Sequence, residues 1–477
     1  MTIIHWFRRD LRLTDNTSLN AAYRDSGGRV IPVYIRSCWR GRHRWTGAPR
    51  QEFLCGSLAE VARGLDALGG RLILRAGRAD EELERLVTET RADAVYFNRD
   101  PDPFGRAMET KVTEMAKRLG IRAIGFKDVV LHERDEVLTA TGTPFRVFTP
   151  YSKGWLRLPH PDPDGAVGRW PADFALEHLS SLALPTLGDW GLTESAEILP
   201  PGEPAARRRL EAFFSGPIYR YGELRDVPAS AVNSYFSADL RHGTLSIREV
   251  VKRCREAAAS ARTAAAAKSA QTFLNELIWR EFYMAVLWHW PEVLEHEFQP
   301  QFRGMTWLRP GERLSAGNGG VSPDEAFQRW CDGTTGFPIV DAGMRQLSAM
   351  GFMHNRVRMI VAMFLTKDLH LDWRLGEQFF MQRLADGDIA ANNGGWQWSA
   401  GTGADAAPYF RIQNPWTQTA KFDPEGEYIK QWVPELREIP AERFMKPPAG
   451  NRLAPSYPLP MVDHAQEREV ALEMYRR

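Results

Sequence analysis

Thr2-Ile3-Ile4-His5-Trp6-Phe7 opens the chain and runs straight into Arg8-Arg9-Asp10. A short continuous apolar run of this kind reads as a buried strand. Val30-Ile31-Pro32-Val33-Tyr34 reads as a second strand, with Pro32 as an objection because proline cannot donate to a ladder. Arg71 to Leu74, Ala94 to Phe97 and Ile121 to Ile124 repeat the pattern, and amphipathic stretches at Phe53 to Leu68 and Asp80 to Thr90 lie between. Strands that alternate with helices predict a parallel, doubly wound sheet. No GxGxxG follows the first strand, which excludes an ordinary dinucleotide-binding opening.

Outward from that unit the pattern changes. Residues 131–205 are rich in Pro, Gly and Asp and read as a connection wrapped over the surface. Beyond 205 the strand signals stop. The Ala-rich run Glu256 to Ala270 leads into Phe273-Leu274-Asn275-Glu276-Leu277-Ile278-Trp279, which predicts one long helix. A chain of 477 residues is too long for one ordinary core. The expected organisation is an α/β N-terminal domain with a doubly wound parallel sheet over 1–130, a linker over 131–205, and an all-α C-terminal domain over 206–477.

Composition narrows the class. With 43% hydrophobic and 25% charged residues the chain has globular composition. No apolar run approaches the ~20 residues of a membrane helix, and the N-terminus shows no apolar signal core, so a cytoplasmic protein without a membrane partner is expected. The four cysteines are scattered with no CxxC spacing, which fits a reducing compartment. Net charge is only +1, so any nucleic-acid surface must come from segregated charge.

Three segments carry chemistry. On the long predicted helix, Glu276, Trp279, Arg280 and Tyr283 fall at i, i+3, i+4 and i+7, on one face. A carboxylate, a flat aromatic and a guanidinium together suit a pocket wall that stacks on and hydrogen-bonds a base. A second helix, Met353-His354-Asn355-Arg356-Val357-Arg358-Met359, presents Asn355, Arg358 and Met359 together; the amide reads a base edge and the guanidinium suits phosphate or a buried carboxylate. The third segment, Asp386-Gly387-Asp388-Ile389-Ala390-Ala391-Asn392-Asn393-Gly394-Gly395-Trp396-Gln397-Trp398, combines glycines that admit a flat ligand with acids and amides that hold it. Its DxD has no further acids or histidines beside it, so no metal is expected.

These segments, with HWFRRDLRLTDN at the start, NELIWREF in the middle, GFPIVDAGMRQL and PYFRIQNP around them and YPLPMVDH near the end, closely resemble the photolyase/cryptochrome family. The resemblance covers essentially the whole chain. It implies an α/β antenna domain and a helical domain that holds FAD in a U-shape. By that resemblance Tyr221, Arg280, Arg358, Asp386, Asp388 and Asn392 contact the flavin, and Asn233-Ser234-Tyr235-Phe236-Ser237 stands where the family has a TSxLS phosphate loop. Asn392 faces the flavin N5 and carries no titratable proton, whereas plant-type cryptochromes have Asp there. Glu276, Trp279, Asn355, Met359 and Trp398 form the pocket for a pyrimidine dimer, and Arg356 reaches the DNA backbone.

The activity implied is light-driven repair of cyclobutane pyrimidine dimers in DNA, of class I or class III, by a monomer. Glu276, if protonated, donates a hydrogen bond to the dimer, and burial favours that form. Trp396 and Trp373 match the inner two members of a tryptophan chain that reduces FAD; the usual third falls at Gly320, so Trp330 and Trp307 become candidates for the outer end. The antenna chromophore is expected to be methenyltetrahydrofolate, on the partial motif Asn98-Arg99-Asp100-Pro101, with a deazaflavin second; Trp39, Arg42, Arg44 and Trp45 lie in the same domain. The alternative is a blue-light photoreceptor without repair activity, disfavoured by Asn392 and by the short stretch after Val462-Asp463-His464. A nicotinamide-dependent oxidoreductase lacks its fingerprint.

Overall fold

A computed structural model describes residues 1–193, 196–311 and 320–476. Five parallel strands, β1 (Ile3–Phe7), β2 (Val30–Arg36), β3 (Ile73–Ala76), β4 (Ala94–Asn98) and β5 (Arg122–Phe126), form one sheet in the order β3-β2-β1-β4-β5. Both faces of β1 are covered, which explains its unbroken apolar run. Ile3 and Phe7 join the core under helices Thr17–Ser26 and Ala48–Ala67, while Ile4 and Trp6 join the core under Ala79–Thr90 and Pro103–Leu119. Pro32 does sit in β2, opposite His5, one residue before pairing with β3 begins at Val33.

The chain order reverses between β1 and β4, and the crevice at the carboxyl ends of those strands is where open α/β sheets usually take a ligand. Here protein fills it. Asp10 accepts from Asn98 Nδ2 at 2.7 Å and Asn16 Nδ2 at 3.1 Å. The helical domain then docks on top: Leu11 N donates to the His242 carbonyl at 3.1 Å, and Arg12 Nη1 to the Gly243 carbonyl at 3.0 Å. Gly243 has φ +69°, and a Cβ there would stand 1.9 Å from the Arg9 carbonyl oxygen, so this contact requires glycine.

The segment 131–205 contributes its buried residues to cores on both sides: Tyr151 and Trp155 to a helical core, Trp170 and Trp190 to a sheet core. Beyond it the long predicted helix is two. Ile247–Ser260 stops, and Ala264–His289 restarts with Thr263 accepting from Ala266 N at 3.1 Å. The local side-chain bond gives the backbone an alternative to continuing the first helix, and alanine content alone does not show that. The second segment is also helical only from Asn355; His354 is its N-cap, its Nδ1 accepting from Arg356 N. The helical domain packs as two cores, one around Phe273 and Phe282 and one around Trp330, Trp373 and Trp396, with a large cavity between.

Candidate active site

The cavity measures ≈ 520 Å³, within the range that holds a cofactor-sized ligand. Its walls come from helices Ala264–His289, Asn355–Met363 and Ile389–Ala400 and from the 233–237 loop. Glu276, Trp279, Arg280 and Tyr283 all line it, so the i, i+3, i+4, i+7 face is a pocket wall. Tyr221, Asn233, Ser234, Phe236, Ser237, Asn355, Arg356, Arg358, Met359, Asp386, Asp388, Asn392, Trp396 and Trp398 line it as well. Trp373, expected as an inner electron donor, lies off the cavity and is fully buried.

The two aspartates of the third segment are held differently. Asp386 pairs with Arg358 at 2.8 Å through Oδ2, while its Oδ1 is buried with no hydrogen-bond partner among the described residues. Asp388 caps the Ile389–Ala400 helix, accepting from Ala390 N and Ala391 N at 3.1 and 3.3 Å. Its other oxygen pairs with Arg9, which arrives from the sheet domain and also holds Asp100 at 2.9 Å. Burial opposes a charge on Asp388, but Arg9, Arg241 and Arg280 outweigh it and hold the carboxyl well below its ordinary range. Arg280 spends its N–H groups on the carbonyls of Val129 and Leu240, at 2.9 and 3.1 Å. Among the described residues no three His, Cys, Asp or Glu side chains are grouped to hold a metal.

Asn392 is oriented from behind. Its Nδ2 donates to the Glu377 carbonyl at 3.0 Å, which fixes the amide at the cavity wall. The neighbouring Asn393 donates to the Glu377 carboxyl at 2.8 Å, and burial pushes that carboxyl up to about 7. In the 233–237 loop Tyr235 has φ +56°, a conformation costly for a bulky residue, and its ring packs 5.1 Å from Phe352.

At the mouth the structure adds partners that the sequence did not indicate. Glu276 pairs with Arg225 at 2.5 Å, yet burial still raises the Glu276 carboxyl above its usual range. Trp279 stacks one face on Phe148, centroids 3.8 Å apart and planes 6° from parallel. Arg356 is paired with Asp226 at 2.8 Å. Arg241 and Asp226 carried no local sequence signal, and Arg9, though in the opening motif, stands 379 residues from Asp388.

Behind the cavity, Trp396 and Trp330 meet edge to face at 6.0 Å. Trp373 and Trp307 donate to the same oxygen of buried Glu297, at 3.2 and 3.3 Å. Gly320 is exposed; its neighbours Asn318 and Gly319 lie outside the described residues. In the sheet domain Asn98 is consumed by Asp10 and Asn16, Arg99 by Glu133 and Asp100 by Arg9. The cavity beside them is ≈ 60 Å³, too small for a pterin in this arrangement. Trp39 stacks on His43 at 4.7 Å, and Arg44 packs on Trp45 at 4.4 Å.

A parallel-sheet domain docked on a helical domain, whose two cores enclose a cavity lined by arginines, acids, amides and aromatics, defines the class of a sheet-plus-helical protein with its largest described site inside the helices and not at the sheet edge. Comparison with known families identifies it further. Residues 3–166 match the family model described as DNA photolyase, and residues 273–477 match that of the FAD binding domain of DNA photolyase. A deoxyribodipyrimidine photo-lyase of Agrobacterium fabrum is 39% identical over 99% of this chain and 97% of its own, and that of Escherichia coli is 38% identical over 99% and 98%. The crystal structure of a bacterial class III photolyase from Agrobacterium tumefaciens superposes with TM-score 0.88 at 37% identity, covering 100% of this chain and 97% of that one. A Synechocystis cryptochrome superposes at 0.87 with 26% identity, covering 99% of each chain. The chain belongs to the DNA photolyase family.

Proposed function

We propose that this protein is a deoxyribodipyrimidine photolyase that repairs cyclobutane pyrimidine dimers in DNA under blue light. The observation that carries the reading is the single cavity that unites the flavin-type residues with the Glu276–Trp279 and Asn355–Met359 walls. Relatives of matching length bear the same enzyme name, and Asn392, an amide where plant-type cryptochromes have a carboxyl, favours repair over signalling.

The cavity fits FAD. The orphaned Asp386 Oδ1 is a buried acceptor that needs a donor, and an isoalloxazine ring has an N–H to give. A Cβ at Gly395 would meet nothing within 4 Å, so a flat ring can approach the helix backbone there. Arg358, Asp386, Asp388, Arg280 and Tyr221 would hold the cofactor, with Asn233 to Ser237 at its phosphates. When bound, FAD supplies light absorption and the transferable electron. An antenna chromophore, methenyltetrahydrofolate before a deazaflavin, would serve the same flavin; the ≈ 60 Å³ beside Arg99 admits it only with side-chain movement.

The chain's own residues do the rest. Phosphate contacts bind the duplex, and the dimer flips out at lower cost than a normal base because it stacks and pairs poorly. The free face of Trp279, with Trp398 and Met359, packs on the dimer, while Asn355 meets its polar edge. Glu276, whose carboxyl burial raises above its usual range, would in its protonated form exchange its pairing with Arg225 for a donated hydrogen bond to a dimer carbonyl and stabilise the charge that arrives with one electron. The two carbon–carbon bonds of the cyclobutane break and the electron returns, so no net redox change occurs. Trp396 and Trp373 supply electrons to the cofactor from the opposite side. Competition binding tests the reading: flavin-loaded protein should prefer a dimer-containing duplex over the undamaged one, and equal affinity contradicts it.

A further inference from the structure

Arg356 was expected to face the DNA backbone, yet its guanidinium is already engaged. Asp226 Oδ1 accepts from both Arg356 Nη2, at 2.8 Å, and Nε, at 3.3 Å. That two-donor edge is the one a phosphate would take in a bidentate contact. We propose that Asp226 masks Arg356 in the DNA-free enzyme, so that phosphate reaches this guanidinium only by displacing a carboxylate. The inference rests on the DNA substrate proposed above.

Three further observations support it. The adjacent Arg225 is taken by Glu276 at 2.5 Å and lies 3.9 Å from Asp226, so two guanidiniums and two carboxylates balance at this side of the mouth. With a net charge of +1 the protein has no strong overall field to draw DNA in, so the state of each rim arginine matters. Finally, Arg356 lies over the Phe422 ring at 4.5 Å, with Lys421 5.0 Å from the same ring. Packing therefore keeps the guanidinium in place when its carboxylate leaves. Asp226 is 37% exposed and Arg356 18%, so the pair is weak enough to exchange. The mask lowers affinity for undamaged DNA and limits the time spent on it.

The test measures binding of flavin-loaded protein to undamaged and dimer-containing duplexes across a salt series. Asp226→Asn should bind undamaged duplex about 3- to 10-fold more tightly at low salt. Its log–log salt dependence should steepen by roughly 0.9, the counterion release of one phosphate contact. Asp226→Glu should restore wild-type behaviour, and adding Arg356→Gln to Asp226→Asn should remove the gain. Flavin content reports folding; should Asp226→Asn fail to load, Asp226→Ser carries the same measurement. Unchanged affinity and slope, or a gain that survives loss of Arg356, overturns the mask. Failure of the substrate reading looks different: wild type would then bind both duplexes alike, while the slopes on undamaged DNA would still score Asp226.

Discussion

Replacing Asn392 by Asp changes one atom type and should make photoreduction of FAD depend on pH. In the native structure the Asn392 amide donates to the Glu377 carbonyl at 3.0 Å. An ionised Asp would set two acceptors against each other where the amide donates, at a cost of about 1–3 kcal/mol. This equals roughly 1–2 pK units of upward shift for the new carboxyl. A protonated Asp keeps the bond by donating its O–H. The variant therefore has a neutral, native-like form at acid pH and a charged form at alkaline pH, and the charge opposes addition of an electron nearby. The wild type already has a titrating group behind the amide, since burial holds the Glu377 carboxyl up at about 7. The comparison is thus made in the Glu377→Gln background as well. The assay is the fraction of flavin bleached by blue light with a thiol reductant, from about pH 5 to pH 9. Asn392→Asp should match the wild type at the acid end and fall behind at the alkaline end in both backgrounds. Full bleaching at the alkaline end would refute the placement of Asn392 beside the ring.

Trp279→Ala should weaken binding to dimer DNA by roughly 1–3 kcal/mol, the worth of one stack, with little change on undamaged duplex; equal losses on both would mean that its stack on Phe148 is the only role. Trp396→Phe should abolish photoreduction but spare repair by chemically pre-reduced enzyme. Of the outer candidates, Trp330→Phe tests the branch at Trp396 and Trp307→Phe the branch through Glu297, because Trp330 meets Trp396 while Trp307 shares the Glu297 oxygen with Trp373; wild-type bleaching rates in both single variants and their double would exclude these routes. Asp128 tests acid stability. Burial opposes its charge, but Arg12 and Arg248 hold it at about 2. The pairing thus contributes about 2 kcal/mol that is present above pH ~4 and lost as pH falls toward ~2. Asp128→Asn should lower the melting temperature at neutral pH, and the difference should shrink on acidification.

Much of this molecule is legible locally. Strand parity and helix spacing place the sheet and the Glu276–Tyr283 face because both are periodic properties of a few adjacent residues. The Ala-rich run hides a break: one helix ends at Ser260 and Thr263 caps the next, because a local side-chain bond competes with continuing the helix. The cavity's electrostatics were not legible. Asp388 depends on Arg9 from the far end of the chain, and Asn392 on the backbone carbonyl of Glu377, which has no sequence signature. Asp226 precedes a turn like many surface aspartates; only folding brings Arg356 to it.

The central claim is repair. The direct measurement is recovery of intact thymine in a dimer-containing oligonucleotide incubated with flavin-loaded protein, under blue light and in the dark. The account predicts recovery in the light alone, with many turnovers per enzyme and no consumption of reductant once the flavin is reduced. Binding to the dimer without recovery in the light would contradict it and leave the photoreceptor reading in its place.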